Sequence, residues 1–180
     1  MTTLPPFPGL PSLGLAAKRL DTCHEATVEQ FCRRCNAFFT LITGESAGTD
    51  TARDLLVSRP PGVELIRKHV IGFERDGVLV AIVDLLESYP NEADWYVGLL
   101  LVSPDERARG VGTAVWTAVE TWIRAVGGRQ VRLIVQQQNP NAARFWRAVG
   151  FTADGAVEQH LPARTNLCWR FEKPLPGPLS

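Results

Sequence analysis

The sequence has little of the charge imbalance, cysteine or long apolar runs that mark several classes of protein. Its 19 Lys and Arg residues equal its 19 Asp and Glu residues, so no overall field draws it to nucleic acid or to an anionic membrane. No apolar stretch has the roughly 20 residues that a membrane-spanning helix needs. We therefore expect no nucleic-acid partner and no membrane partner, and any anion has to be bound locally.

Cysteine is sparse and unsuited to a metal site. Of the four cysteines, Cys32 and Cys35 form a CxxC pair, but no second pair of ligands has the spacing that a zinc site needs. The pair also falls inside a helical pattern, whereas a redox CxxC is expected to follow a strand. We interpret it as two cysteines one turn apart on a helix and predict no metal site.

The two ends of the chain are rich in proline. The start, MTTLPPFPGLPSLGL, has no basic segment, and prolines interrupt its apolar residues, so it is a poor signal peptide. We therefore expect a cytoplasmic protein with reduced cysteines. The 180 residues suit one domain, which we place at 13–173 between a disordered or extended arm at 1–12 and a proline-rich tail at 174–180.

Apolar residues between the two ends alternate between helical and strand spacing. This order predicts an α/β (α+β) fold, with a mixed sheet covered by helices. The strands at 94–102 and 130–136 are expected to be parallel, because a helix at 110–126 connects them by a right-handed crossover. The predicted helices are 26–43, 49–58, 110–126 and 140–149, and the predicted strands are 14–22, 68–75, 78–87, 94–102, 130–136, 151–159 and 166–172.

The stretch ERARGVGTAV at 106–115 links a buried strand to the clearest helix of the chain. Free N–H groups at a helix start favour an anion, and Gly110 and Gly112 leave room for one to approach the backbone. Arg107 and Arg109 would add positive charge. The alternative is a tight strand-to-helix turn. The stretch lacks the Gly-Lys-Ser/Thr ending of a P-loop and the third glycine of a dinucleotide fingerprint, which argues against nucleotide binding.

Two motifs resemble those of the GCN5-related N-acetyltransferase (GNAT) family. The pattern Arg107-x-x-Gly110-x-Gly112 is similar to the family's acetyl-CoA motif, Arg/Gln-x-x-Gly-x-Gly/Ala. The stretch NPNAARFWRAVGF at 139–151 resembles its second motif, Asn-x-x-Ala-x-x-x-Tyr-x-x-x-Gly-Phe. The two motifs lie in the family's order with one strand between them, and the resemblance covers about 68–172.

The resemblance implies a mixed, mostly antiparallel sheet in which two parallel strands splay apart around acetyl-CoA. It implies that backbone groups near Leu100 to Val102 contact the acyl and pantetheine end, that amides from Arg107 to Thr113 hold the pyrophosphate, and that Asn139 hydrogen-bonds the pantetheine arm. A plain helix N-cap is the other interpretation of Asn139. The residues expected to bind acetyl-CoA are Leu100, Leu101, Val102, Arg107, Ala108, Arg109, Gly110, Val111, Gly112, Thr113, Asn139, Ala142, Phe145 and Trp146.

The resemblance also implies a chemistry in which an amine attacks the thioester of acetyl-CoA directly. The enzyme must take a proton from an ammonium group, whose ordinary pKa is about 10. The family's usual acid toward the departing thiolate is the Tyr of the second motif, and Trp146 occupies that position. An indole N–H cannot serve as an acid. Three options follow: the thiolate leaves unprotonated, Tyr96 serves instead, or transfer is slow or lost.

Three residues are candidates for catalytic groups. Asp84 interrupts an apolar strand, where a carboxylate has either a partner or the raised pKa that suits a base. A structural Asp84 that only accepts hydrogen bonds is an alternative of equal weight to a catalytic base. Glu87 lies near the end of the same strand and is otherwise a solvated side chain. Tyr96 points either to the acetyl site or into the core.

The leading hypothesis is an N-acetyltransferase that moves an acetyl group from acetyl-CoA to a primary amine of a small molecule or peptide in a ternary complex. The alternative is an acyl-CoA-binding regulatory or interaction protein with little or no turnover. The sequence does not identify the acceptor, and a homodimer is compatible with it.

Overall fold

A computed structural model describes residues 4–177 and arranges them as one seven-stranded sheet with helices on both faces. The strands are β1 (Ala16–Leu20), β2 (Lys68–Arg75), β3 (Val78–Glu87), β4 (Asp94–Val102), β5 (Gln130–Gln136), β6 (Thr152–His160) and β7 (Thr165–Pro174). Their order is β1-β2-β3-β4-β5-β7-β6, and only β4 and β5 are parallel neighbours among the described strands. The predicted mixed fold with one parallel pair is confirmed.

Five α-helices pack on this sheet within the described residues. They are α1 (Glu25–Arg34), α2 (Asn36–Thr43), α3 (Thr49–Val57), α4 (Val111–Ala125) and α5 (Pro140–Ala148), and short 3-10 turns occur at Pro11–Leu13, Thr22–His24, Leu65–Arg67 and Pro104–Glu106.

The predicted single helix at 26–43 is wrong, because the chain bends between α1 and α2. Cys35 leaves the helical region with φ −92° and ψ 17°, and its N–H bonds both Phe31 O at 3.1 Å and Cys32 O at 3.0 Å. Such shared bonds are typical of a helix end. The apolar spacing continues through the bend without a Gly or Pro, so the sequence carries no signal for it.

The other strand and helix predictions lie close to the observed elements. β2, β3, β4 and β5 have the predicted bounds. Asp76 and Gly77 both adopt positive φ, at 51° and 77°, as a two-residue hairpin turn requires. The strands predicted at 14–22, 151–159 and 166–172 are β1, β6 and β7 with shifted ends.

The alternation of side chains on β3 divides the core into two parts. Ala81, Val83 and Leu85 face one way and pack with α4 and α5. Ile82 faces the other way and packs with α1, α2 and α3. From Ala81 to Glu87, beyond the irregular pairing at Val80, residues an odd number apart therefore lie on opposite faces of the sheet.

The parallel pair is joined over three residues only. Asp94, Trp95 and Tyr96 of β4 pair with residues 130–132 of β5, and the pairing ends there. Beyond Tyr96 the two strands diverge and leave a gap in the middle of the sheet. This gap is the splay that the GNAT resemblance implies.

The N-terminal segment packs on the α4 side of the sheet. The Phe7 ring lies 5.6 Å from Phe73 and 5.2 Å from Trp122, and the Trp122 indole N–H donates to Pro5 O at 3.1 Å. At the other end, Leu175 is buried and its N–H bonds Arg129 O at 2.7 Å. Residues 1–3 of the predicted arm and 178–180 of the predicted tail lie outside the described residues.

Among the helices of residues 4–177, none has both the length and the apolar character to cross a bilayer. The same part of the chain holds no group of three or more His, Cys, Asp or Glu side chains placed to bind a metal ion.

Replacement of Phe7 by alanine tests whether the arm contributes to the core. We expect Phe7→Ala to lower the free energy of unfolding by about 1–3 kcal/mol, because a half-buried ring loses two aromatic contacts. Urea denaturation measures this. Ile66→Ala is the control, since Ile66 is 58% exposed and should cost less than about 0.5 kcal/mol. Equal effects of the two variants would show that the arm contributes nothing.

Candidate active site

A groove of about 580 Å³ runs from the end of β4 and the first turns of α5 to the N-terminus of α4. Twelve of the fourteen residues predicted to bind acetyl-CoA line it. They are Leu100, Leu101, Val102, Arg107, Ala108, Gly110, Gly112, Thr113, Asn139, Ala142, Phe145 and Trp146. Of the other two, Arg109 is exposed, and the Val111 side chain is buried in the core.

Backbone amides at the start of α4 have no partner in the protein. Ala114 is the first donor of the helix and bonds Gly110 O at 3.0 Å. Within residues 4–177, no backbone or side-chain acceptor receives the N–H groups from Ala108 to Thr113. Ala108 and Gly110 adopt positive φ, at 57° and 78°, so the loop turns sharply just before the helix. A row of free amides at a helix start is suited to a phosphate group.

One acidic side chain beside this loop is paired with a cation. The acidic Glu106 is bound by Arg75, whose Nη1 lies 2.6 Å from Glu106 Oε1. Arg75 also donates to Leu13 O at 3.1 Å. Arg107 Nε donates to Val102 O at 3.1 Å and ties the loop to the end of β4.

Gly112 provides close access to the amides. A Cβ at this position would face Phe145 at 3.5 Å and Val102 at 3.7 Å, so it would point into the groove without a steric clash. The absence of a side chain therefore keeps the groove open at the first turn of α4.

Asn139 caps α5, as the plainer interpretation predicted. Its Oδ1 accepts the N–H of Ala142 at 3.2 Å. Its Nδ2 donates to no acceptor among the described residues, and the side chain lines the groove. One amide group therefore caps the helix and keeps a free donor for a ligand.

A second cavity of about 470 Å³ adjoins the groove on the side of α2 and α3. Phe38, Leu100, Asn139, Ala142 and Trp146 line both spaces, so the two meet at these residues. We call this shared region the junction.

Asp84 lies in the wall of the second cavity and forms a buried ion pair. Lys68 Nζ is 2.7 Å from Asp84 Oδ1 and 2.8 Å from Oδ2, and the two side chains are only 2% and 13% exposed. The carboxylate occupies the space beside Gly98, where a Cβ would lie 2.6 Å from Asp84 Oδ2. Burial raises the pKa of Asp84 above its ordinary 3.8, and the charge of Lys68 opposes that rise.

Tyr96 lines the same cavity as Asp84. Its ring packs edge-on against Tyr89 with centroids 5.7 Å apart. Burial raises the pKa of Tyr96 to about 12, so its hydroxyl stays protonated at neutral pH. The structure thus brings together two of the three predicted catalytic residues.

Glu87 does not join them. It is three positions from Asp84 on β3 and therefore lies on the opposite face of the sheet, where Glu87 Oε2 is 3.0 Å from His69 Nε2. Burial lowers the pKa of His69, and the hydrogen bond with Glu87 acts in the opposite direction. Glu87 lines neither of the two cavities, so it is not placed to act as the base.

Trp146 is a packing residue with one surface on the junction. Its ring contacts Trp116 and Phe151 edge-on, with centroids 5.2 Å and 5.0 Å apart. Lys68, by contrast, was not recognised from the sequence. A lysine at the start of a strand is ordinarily solvated, and only its diagonal position across from Asp84 in the β2–β3 register brings the two charges together.

The gap between the parallel strands admits a long, narrow ligand with a phosphate group at one end and a reactive group at the other. An acyltransferase that uses acyl-CoA requires a site of this shape. A model of the "Acetyltransferase (GNAT) family" matches residues 28–151, and the chain belongs to this family. Acetyl-CoA is the acyl donor of the family.

Known proteins agree with this assignment. A mycothiol acetyltransferase from Kineococcus radiotolerans is 38% identical over 85 residues, which are 47% of this chain and 27% of that protein. The chain thus spans about a quarter of the length of this curated relative.

Two solved structures share the fold. An acetyltransferase from Thermus thermophilus superposes with a TM-score of 0.70 at 24% identity, covering 89% of this chain and 97% of that one. A spermidine N-acetyltransferase from Vibrio cholerae, in complex with CoA and spermine, superposes with a TM-score of 0.69 at 14% identity, covering 91% and 96%. At these identities the likeness concerns the fold alone.

Removal of one member of the buried ion pair should be costly. We expect Lys68→Met to lower the free energy of unfolding by about 3–5 kcal/mol, because it leaves the Asp84 carboxylate buried without its partner. The double variant Lys68→Met/Asp84→Asn should recover a large part of this loss. Urea denaturation at neutral pH measures both.

Lys18→Met is the matched control for this experiment. Lys18 is 48% exposed, and its Nζ is 4.0 Å from Glu74, so its loss should change stability by less than about 1 kcal/mol. A Lys68→Met variant as stable as Lys18→Met would contradict the buried pair.

Proposed function

We propose that this protein transfers the acetyl group of acetyl-CoA to a primary amine of a small molecule or peptide in a ternary complex. The observation that carries the proposal is the junction, where the groove with free amides meets the cavity with Asp84 and Tyr96. Two reactants bound in these spaces would meet end to end, and such positioning can supply several kcal/mol of rate enhancement.

The groove offers partners for the pyrophosphate and the pantetheine arm of acetyl-CoA. The free amides from Ala108 to Thr113 would hold the pyrophosphate, and the Asn139 amide would donate to the pantetheine arm. Phe145 and Ala142 would pack against its apolar parts. Bound acetyl-CoA supplies a thioester, whose carbonyl carbon is activated toward amines.

The backbone of β4 would orient and polarise the thioester. Ser103 N–H bonds Val80 O at 2.8 Å on the β3 side. Backbone groups alternate in direction along a strand, so the N–H groups of Leu100 and Val102 point to the gap, where β5 no longer pairs with them. A fixed N–H donor of this kind stabilises negative charge on a carbonyl oxygen.

Asp84 is the proposed base. Overall, an N–C bond forms, a C–S bond breaks, the amine loses a proton and the released CoA takes up a proton as a thiol. The Asp84 carboxylate lies beside Gly98 of β4. Gly98 is two residues before Leu100, which lines the junction, and two residues span roughly 7 Å along a strand. The carboxylate would therefore receive the proton directly or through one water molecule.

Tyr96 is the proposed proton donor. Its hydroxyl is protonated at neutral pH, as that of an ordinary tyrosine is, and it lines the cavity that opens at the junction. It would take the role that a Tyr has in the second family motif, where this chain has Trp146.

A protein that binds acyl-CoA with little turnover is the second candidate. The contact of Lys68 with both oxygens of Asp84 favours this second function. The Lys68 ammonium group occupies the carboxylate, which is then less available to take a proton from the amine. Release of free CoA thiol over a panel of amines separates the two functions. Stabilisation by acetyl-CoA without turnover of any amine would support the binding protein.

Two substitutions at Gly112 test the cofactor site. Gly112→Asp should abolish the rise in melting temperature caused by acetyl-CoA, because it places a carboxylate beside the proposed phosphate site. Gly112→Ala has room for its methyl group and should retain most of the rise. If acetyl-CoA stabilises the Asp variant as strongly as the unchanged protein, the pyrophosphate binds elsewhere.

Substitution of Asp84 tests the base. In a Lys68→Met background, which avoids an unpaired lysine, Asp84→Asn should lower kcat/KM for the amine by about 10²–10⁴-fold. The Lys68→Met protein with Asp84 intact should lose activity as pH falls through the raised pKa of Asp84, above pH 3.8, because the carboxylate is then protonated.

The double variant should lack this acidic limb in its pH–rate profile. Glu87→Gln is the control on the other face of the sheet and should change kcat/KM by less than about twofold. An unchanged rate and pH profile in the Asp84 variant would exclude it as the base.

A further inference from the structure

We infer that the amine acceptor has an apolar, preferably aromatic, body and carries no negatively charged group, as an arylalkylamine does. This inference rests on the proposed function. It concerns the cavity beside the junction, where the acceptor would bind.

The walls of this cavity are mainly apolar. Phe38, Phe39 and Ile42 project from one face of α2. Leu99, Leu100 and Ile134 of the strands, Leu55 of α3 and Leu161 also line it, whereas Val97, Leu133 and Val135 border the cavity but belong to the core on the α4 side. A hydrocarbon body of several carbons would be removed from water here, at about 0.8 kcal/mol for each CH₂ group.

The charges of the cavity are of one sign. Asp54 and Asp84 line it, and no Lys or Arg is among its lining residues in the described part of the chain. Lys68 lies behind Asp84 and is only 2% exposed, so it is not available to a ligand. A carboxylate or phosphate on the acceptor would therefore have no cationic partner.

Asp54 faces the cavity because of its place on α3. Thr51, Asp54 and Leu55 are spaced i, i+3 and i+4, which puts them on one face of the helix, and all three line the cavity. Within the described residues, the Asp54 carboxylate forms no ion pair with a basic side chain. It is therefore free to attract a cationic amine and to repel an anionic one.

Gln136 and Gln159 line the cavity, and a set of amide hydrogen bonds extends from them to α2. Gln136 donates to Gln159 at 2.9 Å, Gln138 donates to the buried Asn166 at 2.7 Å, and Asn166 donates to Ile42 O at 2.8 Å. These amides hold α2 against β5 and the β6–β7 pair. These bonds use part of the capacity of the amides, which is then not open to a polyhydroxylated acceptor such as an amino sugar.

Three amines with the same benzyl group test the inference. Phenethylamine has no further charge, phenylalaninamide has a neutral amide beside the amine, and phenylalanine has a carboxylate there. We expect kcat/KM for phenethylamine to exceed that for phenylalanine by at least about 100-fold, because the carboxylate would be desolvated without a partner. Phenylalaninamide should fall between them. Glucosamine and putrescine represent hydrophilic acceptors and should be poorer than phenethylamine.

Asp54→Asn tests the source of the selectivity. It should narrow the ratio between phenethylamine and phenylalanine by about 2–10-fold, since the effect of an exposed charge is modest. Asp50→Asn is the matched control, because Asp50 is an exposed residue of the same helix that does not line the cavity. It should leave the ratio unchanged.

The outcomes separate this inference from the proposed function. A higher kcat/KM for phenylalanine, glucosamine or putrescine than for phenethylamine would overturn the inference and leave an N-acetyltransferase. An equal change of the ratio in the Asp54 and Asp50 variants would also overturn the assigned role of Asp54. No release of CoA with any amine, peptides included, would overturn the proposed function and this inference together.

Discussion

β4 and β5 begin side by side and then part, and both cavities of the protein depend on this divergence. Where β4 and β5 are paired, ion pairs add to the backbone hydrogen bonds between the strands. Arg132 of β5 bonds Asp94 of β4 at 3.2 Å and Glu172 of β7 at 3.1 Å. Past Tyr96 the ladder stops, and backbone groups that a continuous sheet would satisfy face the gap instead. The same interruption frees Leu100 and Val102 to contact a ligand and separates β4 from β5 at the junction.

The region where this chemistry would occur carries a cost in stability. A buried ion pair seldom contributes more than apolar residues of the same volume, because both charges lose their hydration. Lys68 and Asp84 are such a pair, and Gly98 leaves the carboxylate its space. Acetyl transfer to an amine requires a proton acceptor, and burial raises the pKa of Asp84 in a way that suits this role. The stability lost by burying the ion pair therefore has a function in the proposed mechanism.

Much of the fold was predictable because local signals agreed with the tertiary structure. The spacing of apolar residues and the Asp76-Gly77 turn are sufficient to predict β2 and β3. Gly110 and Gly112 in the loop before α4 indicate that its first amides are free. The misassigned features depend on three-dimensional placement. The bend at Cys35 occurs without a Gly or Pro to mark it. Glu87 lies near the end of β3, where the cleft is expected, but strand alternation puts its side chain on the opposite face of the sheet from Asp84. The partner of Asp84 is 16 residues away in sequence and was not visible from the strand alone.

The central claim is that one ligand crosses the gap between β4 and β5, with its phosphates at the start of α4 and its acyl group at the junction. A crystal structure of the protein with acetyl-CoA tests it most directly. We expect pyrophosphate oxygens within hydrogen-bond distance of the amides between Ala108 and Thr113, and the thioester beside Leu100, facing the cavity of Asp84 and Tyr96. Pyrophosphate bound away from these amides, or a thioester outside the junction, would contradict it.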